Sequence, residues 1–280
     1  MTEIEQEQLA VAAYIQLKTL TQNAARREVR ELLADPRYAD PKRLERHGFK
    51  VFSQNDEDGI IQEIFRRIGT TNRMFFEFGA GNGLESNCCY LLLQGWHGAW
   101  VDGNDEYLAH ARNLFSEKIA RGQLAVKKEM VYASNIDELA TGLDLPQELD
   151  LLSIDVDGND FYIWEALTVL RPRVVIVEYN AAFPPPVRLV QTHQPNLTWG
   201  GTSYFGASLS ALENLATRKG YLLVGTNLPG VNAFFVRNDL VGNGFNREGA
   251  PNLYNPPRFQ LGESGFPTGH PPGIGPLVAK

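Results

Sequence analysis

The chain has 280 residues, with 26 Lys and Arg against 33 Asp and Glu and a formal net charge of −7. A chain of this length can sustain one large core without disulfides or a structural metal. Its acidic balance supplies no broad attraction to phosphate polymers or anionic membranes, so neither a nucleic acid nor a membrane is expected as partner, and Arg26-Arg27 and Lys127-Lys128 are taken as solvated charges. Cys88 and Cys89, the only cysteines, make neither a CxxC pair nor a zinc set and are expected to pack. The acidic start lacks the basic segment and apolar run of a secretory signal, and the longest apolar runs have the length of a strand, so a cytoplasmic setting is expected.

Residues 3–34 carry Ile4, Leu9, Ala12, Ala13, Ile15, Leu20, Val29, Leu32 and Leu33 among polar groups, which predicts a helix. Its apolar stripe needs cover, either from the rest of the chain or from a second subunit, so a homo-oligomer built through this helix or the C-terminal tail is one expectation. Pro36 and Pro41 end the pattern. After a short extended run at Phe49–Phe52, Ser53 or Asp56 can cap the helix that carries Ile60, Ile61, Ile64, Phe65 and Ile68. From there strands and helices alternate. Strands are predicted at 74–78, 98–101, 124–126 (with 131–132 as a further extended pair), 149–154 and 174–177, and helices at 86–94, 106–118 and 161–170. That alternation predicts a mainly parallel sheet covered on both faces. A helix at 209–219 and strands at 221–224 and 232–236, joined by the turn Asn227-Leu228-Pro229-Gly230, close the domain. The Pro- and Gly-rich residues 241–280 predict an extended tail that packs locally or wraps a neighbour. The expected division is a helical extension at 1–48, a catalytic domain at 49–240 and this tail.

Phe76-Glu77-Phe78-Gly79-Ala80-Gly81-Asn82-Gly83 is a buried strand entering a tight loop before a helix. Glycines there permit unusual torsions and let a ligand approach the backbone. The spacing does not fit a dinucleotide fingerprint, because Leu84 stands where the third glycine belongs, and no Gly-Lys-Ser or Gly-Lys-Thr follows to make a P-loop.

Together with WHGAWVDGN at 96–104, LLSIDVDGNDFYIWEAL at 151–167, VVIVEYN at 174–180 and GYLLVGTNLPGVNAFFVRND at 220–239, this motif resembles the FkbM-like family of class I S-adenosylmethionine-dependent methyltransferases over residues 49–238. The resemblance implies a Rossmann-like α/β fold with a predominantly parallel seven-stranded sheet and an antiparallel final strand. It implies S-adenosylmethionine against the glycine loop, with Glu77 beside its amino acid portion, Gly79, Gly81 and Gly83 as backbone cradle, and Asp102 on the ribose. Asp102 stands where glutamate is often found in that family. The implied reaction is methyl transfer to a hydroxyl on a small carbohydrate-like or natural-product molecule. N-methylation, or a non-catalytic cofactor-sensing or assembly role, are the alternatives.

Ser153-Ile154-Asp155-Val156-Asp157-Gly158-Asn159-Asp160 brings three carboxylates to a strand end. Asp160 reads as a helix cap; Asp155 and Asp157 are the catalytic candidates. The segment is no EF-hand, since Asp160 replaces its turn glycine and Ala166 its last glutamate. Asp155 with Glu178 and Asn180 resembles the oxygen-ligand set of metal-dependent small-molecule O-methyltransferases, which implies Mg2+; ordinary polar lining is the other reading. His193 is a candidate base or a surface residue. Trp164, Trp199 and Tyr204 either line a pocket or pack structurally.

Overall fold

The computed structural model describes residues 2–156, 158–195, 199–261 and 269–280. Helix α1 (Glu3–Leu33) begins at a reciprocal cap, in which Thr2 accepts from the Glu5 N–H and the Glu5 carboxylate accepts from the Thr2 N–H. Its last turns rest on a 3-10 turn of the tail (Phe259–Leu261), where Gln260 donates to Glu28 at 2.9 Å. Nearer its start Leu9, Tyr14, Ile15 and Leu20 are exposed. Residues 35–48 are not a free extension: Leu44 is fully buried, and Tyr38 Oη donates to Asn255 at 2.7 Å.

Chain order continues with α2 (Glu57–Ile68), β1 (Met74–Phe78), α3 (Cys89–Leu93), β2 (His97–Asp102), α4 (Asp105–Leu114), α5 (Ser116–Ala120), β3 (Leu124–Lys128), α6 (Ile136–Gly142), β4 (Leu151–Ile154), α7 (Asp160–Ala166), β5 (Val174–Glu178), β6 (Leu189–Gln191), α8 (Leu209–Lys219), β7 (Tyr221–Thr226), β8 (Asn232–Arg237), α9 (Ala250–Leu253) and β9 (Leu277–Ala279). Seven strands form one sheet in the order β3-β2-β1-β4-β5-β8-β7. β1 to β5 run parallel, and β8 lies antiparallel between β5 and β7. The expected sheet, with its last strand reversed, is therefore the one formed.

Period-two alternation divides each central strand between two cores. Phe76, Phe78, Val175 and Val177 face α6, α7 and α8, whereas Phe75, Val174 and Ile176 face α2 and α3. Each such side chain, fully buried, contributes roughly 1.5–3 kcal/mol. Cys88 and Cys89 are buried and unbridged. Helix α6 is absent from the predicted elements although Ile136, Leu139 and Ala140 supply its buried face. Its seven residues are too short to establish a period. The helix predicted at 106–118 is divided into α4 and α5 at Phe115, whose ring packs at 4.9 Å against Trp100. The tail folds back on the same chain, where β9 pairs with β6 antiparallel.

One buried carboxylate levels the amino end of the sheet. Asp150, just before β4, accepts from the N–H groups of Thr71, Asn72 and Arg73 at 2.9, 3.1 and 2.7 Å and pairs with Arg173 at 3.2 Å, tying the entries of β1, β4 and β5 together. Breaking a buried pair of this kind typically costs about 3–5 kcal/mol. Asp150→Asn is expected to lower the unfolding free energy by about 3 kcal/mol in urea denaturation; a change within 0.5 kcal/mol or so would show the pair to be dispensable.

Candidate functional site

Because β1 to β5 are parallel, their carboxyl ends open on one edge of the sheet. The chain crosses from one side of β1 to the other between β3 and β4, and a crevice forms at that reversal. It is a cleft of about 930 Å³. Its floor follows the strand order: Glu129–Tyr132 beyond β3, Asp102–Asn104 at β2, Gly79–Asn82 beyond β1, Asp155 and Val156 beyond β4, and Glu178 at β5.

The glycine loop is shaped by backbone contact. Gly79 has φ +78°, and a Cβ there would lie 1.4 Å from the carbonyl oxygen of Asp155, so no side chain fits between the β1 and β4 turns. Gly81, at φ +55°, donates its N–H to Asp102 Oδ2 at 2.9 Å. The other carboxylate oxygen of Asp102 accepts from Asn104 N–H at 2.8 Å. Each oxygen keeps acceptor capacity toward the cleft. Gly83 is not a lining residue. A Cβ there would meet the Trp100 and Phe115 rings at 2.7 and 2.9 Å, so its smallness serves packing.

Glu77, expected beside a cofactor's amino acid portion, is buried beneath the loop and does not line the cleft. It accepts from Ser86 Oγ and, at 2.8 Å, from Asn87 N–H, and burial pushes its carboxyl pKa above the usual range. Its work is to hold residues 86–87, of which Asn87 lines the cleft.

The other acidic residues divide between the cleft and the loops around it. Asp155 and Glu178 do line the cleft; Asp157 lies outside the described residues. Asp160 accepts from the N–H groups of Val156 and Gly158 at 2.9 and 2.8 Å, bracing the loop before α7 rather than capping the helix. Asn180 is buried and committed: its amide donates to the carbonyls of Ser203 and Phe205, both at 2.9 Å, and its oxygen accepts from Ala182 N–H. The oxygen set expected for Mg2+ thus loses Asn180 to the loop that carries Phe205. Among the described residues no group of three or more His, Cys, Asp or Glu is placed to share a metal. His193 is exposed, its ring packs tilted against Tyr162 at 4.7 Å, and it does not line the cleft. The histidine that lines it is His270, from the tail. Trp164 packs in the core, Trp199 lines the cleft, and Tyr204 donates its hydroxyl to the Pro276 carbonyl.

A second buried network borders the cleft. Glu57 is fully buried and accepts from Asn55 N–H, Asn227 Nδ2 and Asn232 Nδ2 at 2.8, 2.8 and 2.9 Å, fixing two lining residues, Asn55 and Asn232. Asp58 accepts from the N–H groups of Val51, Phe52 and Ser53. Ser53 Oγ in turn accepts from Asp58 N–H at 3.2 Å, whereas the Asp56 side chain caps nothing. Desolvation, reinforced by the neighbouring Glu57, pushes the Asp56 carboxyl up to about 8.

No family model matches the chain, and no curated protein matches it significantly. Among solved structures it is similar to the magnesium protoporphyrin IX methyltransferase of Synechocystis PCC 6803 with bound S-adenosylhomocysteine, at 12% identity over 65% of this chain and 81% of that one, TM-score 0.44. It is also similar to the N-terminal domain of EvdMO1 with bound S-adenosylhomocysteine (13%, 74% and 94%, 0.43) and to the methyltransferase domain of bacterial CtHen1-C (14%, 66% and 97%, 0.43). The sheet order is that of the Rossmann-like class I methyltransferases. The resemblance to the FkbM-like family is corrected, since no model of that family matches the chain.

Between the ordinary carboxylate range and about pH 8 the folded chain holds a proton on Asp56 that the unfolded chain has released, so this group's contribution to stability falls as pH rises through that window and is gone above it. Asp56→Asn is expected to raise the melting temperature at pH 8.5 more than at pH 5. An equal effect at both pH values would contradict the assignment.

Proposed function

We propose that the chain transfers a methyl group from S-adenosylmethionine to a hydroxyl oxygen of a small molecule. The observation that carries this reading is the joint between Gly81 and Asp102: a side-chain-free loop and a fixed carboxylate meet at the switch point of the sheet. Ionised carboxylates accept well from paired hydroxyls, so Asp102 would hold the ribose. Gly79 to Asn82 would border the sugar and amino acid portion, with Asn87 supplying polar contacts. Tyr107, Met130, Val131 and Tyr132 would take the flat base. The residues present therefore fit the cofactor.

Bound there, S-adenosylmethionine supplies an electrophilic methyl carbon on a sulfonium. What the protein adds is alignment and exclusion of water. Asp155 and Glu178 lie at the neighbouring strand ends, where an acceptor would enter. Complete transfer of a proton from an alcohol of pKa near 15.7 to an ordinary aspartate of about 3.9 is uphill by roughly 16 kcal/mol. The carboxylates therefore act as hydrogen-bond acceptors that orient the hydroxyl and take its proton only as its oxygen is methylated. A second reading, transfer to an amine, is favoured by the five lining carboxylates Glu85, Asp102, Glu129, Asp155 and Glu178, with neither Lys nor Arg among the described lining residues.

Incubation with methyl-labelled S-adenosylmethionine and a panel of hydroxyl and amine acceptors tests both readings. The expected product carries the label on oxygen; label on nitrogen favours the second, and no turnover on any acceptor counts against both. Loss of one or two charge-assisted hydrogen bonds in Asp102→Ala is expected to raise KM for S-adenosylmethionine roughly 10- to 100-fold. An unchanged KM would remove Asp102 from the cofactor site.

A further inference from the structure

Beyond β4 and β5 the cleft is walled by four rings, Trp199, Phe205, Phe259 and His270. Two of them come from the tail. His270 is the hub, with ring centroids 4.6 Å from Trp199, 5.0 Å from Phe259 and 5.9 Å from Phe205, and with steep angles of 78° and 89° to Trp199 and Phe205.

The wall is built into the fold. Pro271 accepts from Ser203 N–H at 2.9 Å, Gly273 N–H donates to Ser203 Oγ at 3.1 Å, and the Pro276 carbonyl accepts from both Thr192 Oγ1 and Tyr204 Oη. A Cβ on Gly275 would stand 2.3 Å from the Tyr204 ring, so the tail lies as close to this loop as backbone allows. On the other side Arg258 donates to the Leu228 carbonyl at 2.8 Å, anchoring the turn that carries Phe259. Trp199 is oriented by its own Nε1–H, given to the Thr202 carbonyl at 2.8 Å.

We propose that the C-terminal tail completes an acceptor subsite for a flat aromatic molecule that bears no negative charge, with Trp199, Phe259 and His270 as its specificity-determining residues. The proposal rests on the methyl-transfer reading and deepens it. Two observations converge. Rings set steeply to one another offer edges and faces to a planar guest, an arrangement that aromatic groups prefer. The described lining residues carry carboxylates and neither Lys nor Arg, so a phosphate or carboxylate on the acceptor meets like charge without a counter-charge. An aromatic hydroxyl also suits the chemistry: a phenol titrates near 10, far closer to the range of protein bases than an aliphatic alcohol does.

The test is calorimetric titration of the whole chain with S-adenosylhomocysteine, 2-naphthol, 2-naphthyl phosphate and glucose, repeated on Phe259→Ala and His270→Ala. Both positions are only partly buried, so both variants are expected to fold. Saturable 2-naphthol binding is expected in the wild type, at least tenfold weaker for the phosphate and undetectable for glucose. Each variant should weaken 2-naphthol about five- to tenfold while leaving S-adenosylhomocysteine within twofold. Equal binding of the phosphate, tighter binding of glucose, or naphthol affinity unchanged in both variants would overturn the subsite. Naphthol binding that follows the expected pattern in a chain that does not bind S-adenosylhomocysteine would support the subsite and contradict the methyl-transfer reading separately.

Discussion

The structure turns on how closely two backbones approach at the switch point. Gly79 passes over the Asp155 carbonyl with no room for a Cβ, and this closeness lets the β1 turn bend toward β2, where Gly81 meets Asp102. A side chain at 79 would separate the β1 and β4 turns and carry Asp155 away from the glycine loop. The cleft is thus made by the absence of atoms at one position, and its chemistry by the carboxylates arranged around that gap. Parallel pairing of β1 with both β2 and β4 supplies the level platform on which this happens.

Around the platform, buried carboxylates hold loops. Glu77 fixes 86–87, Glu57 fixes the asparagines at 55 and 232, Asp58 gathers three N–H groups, and Asp160 braces the turn after β4. Loops at a sheet's edge leave backbone donors without ladder partners, and an ionised carboxylate can accept several of them at once. This is why acidic residues are dense here without all being reactive. Asp102 combines both duties, since it holds two N–H groups and still faces the cleft.

The strands of the main sheet and their mainly parallel pairing were legible because their apolar runs alternate with helical patterns and because each central strand is buried on both faces. The glycine loop and Asp102 were legible from their place at strand ends. Which carboxylate faces the cleft was not: Glu77 lies inside β1, opposite the buried Trp100 and Ser153, whereas Asp102 ends β2 at the cleft, and that register is not written in either strand alone. Asn180 showed an oxygen ligand's chemistry but not the carbonyls of Ser203 and Phe205 that claim its amide. His193 and His270 differ in the same way. One follows β5 in sequence yet packs outside the cleft, while the other reaches the cleft through a Pro- and Gly-rich tail whose course depends on the distant β6–β9 pairing. Contacts that span so much chain leave no local period to read.

The most direct measurement is amide hydrogen exchange on the well-folded chain with and without saturating S-adenosylhomocysteine. The account predicts added protection at Gly79–Asn82, Asp102–Asn104 and Glu129–Tyr132, the three loops that border the cofactor end of the cleft. Absence of binding, or protection confined to other surfaces, would contradict it.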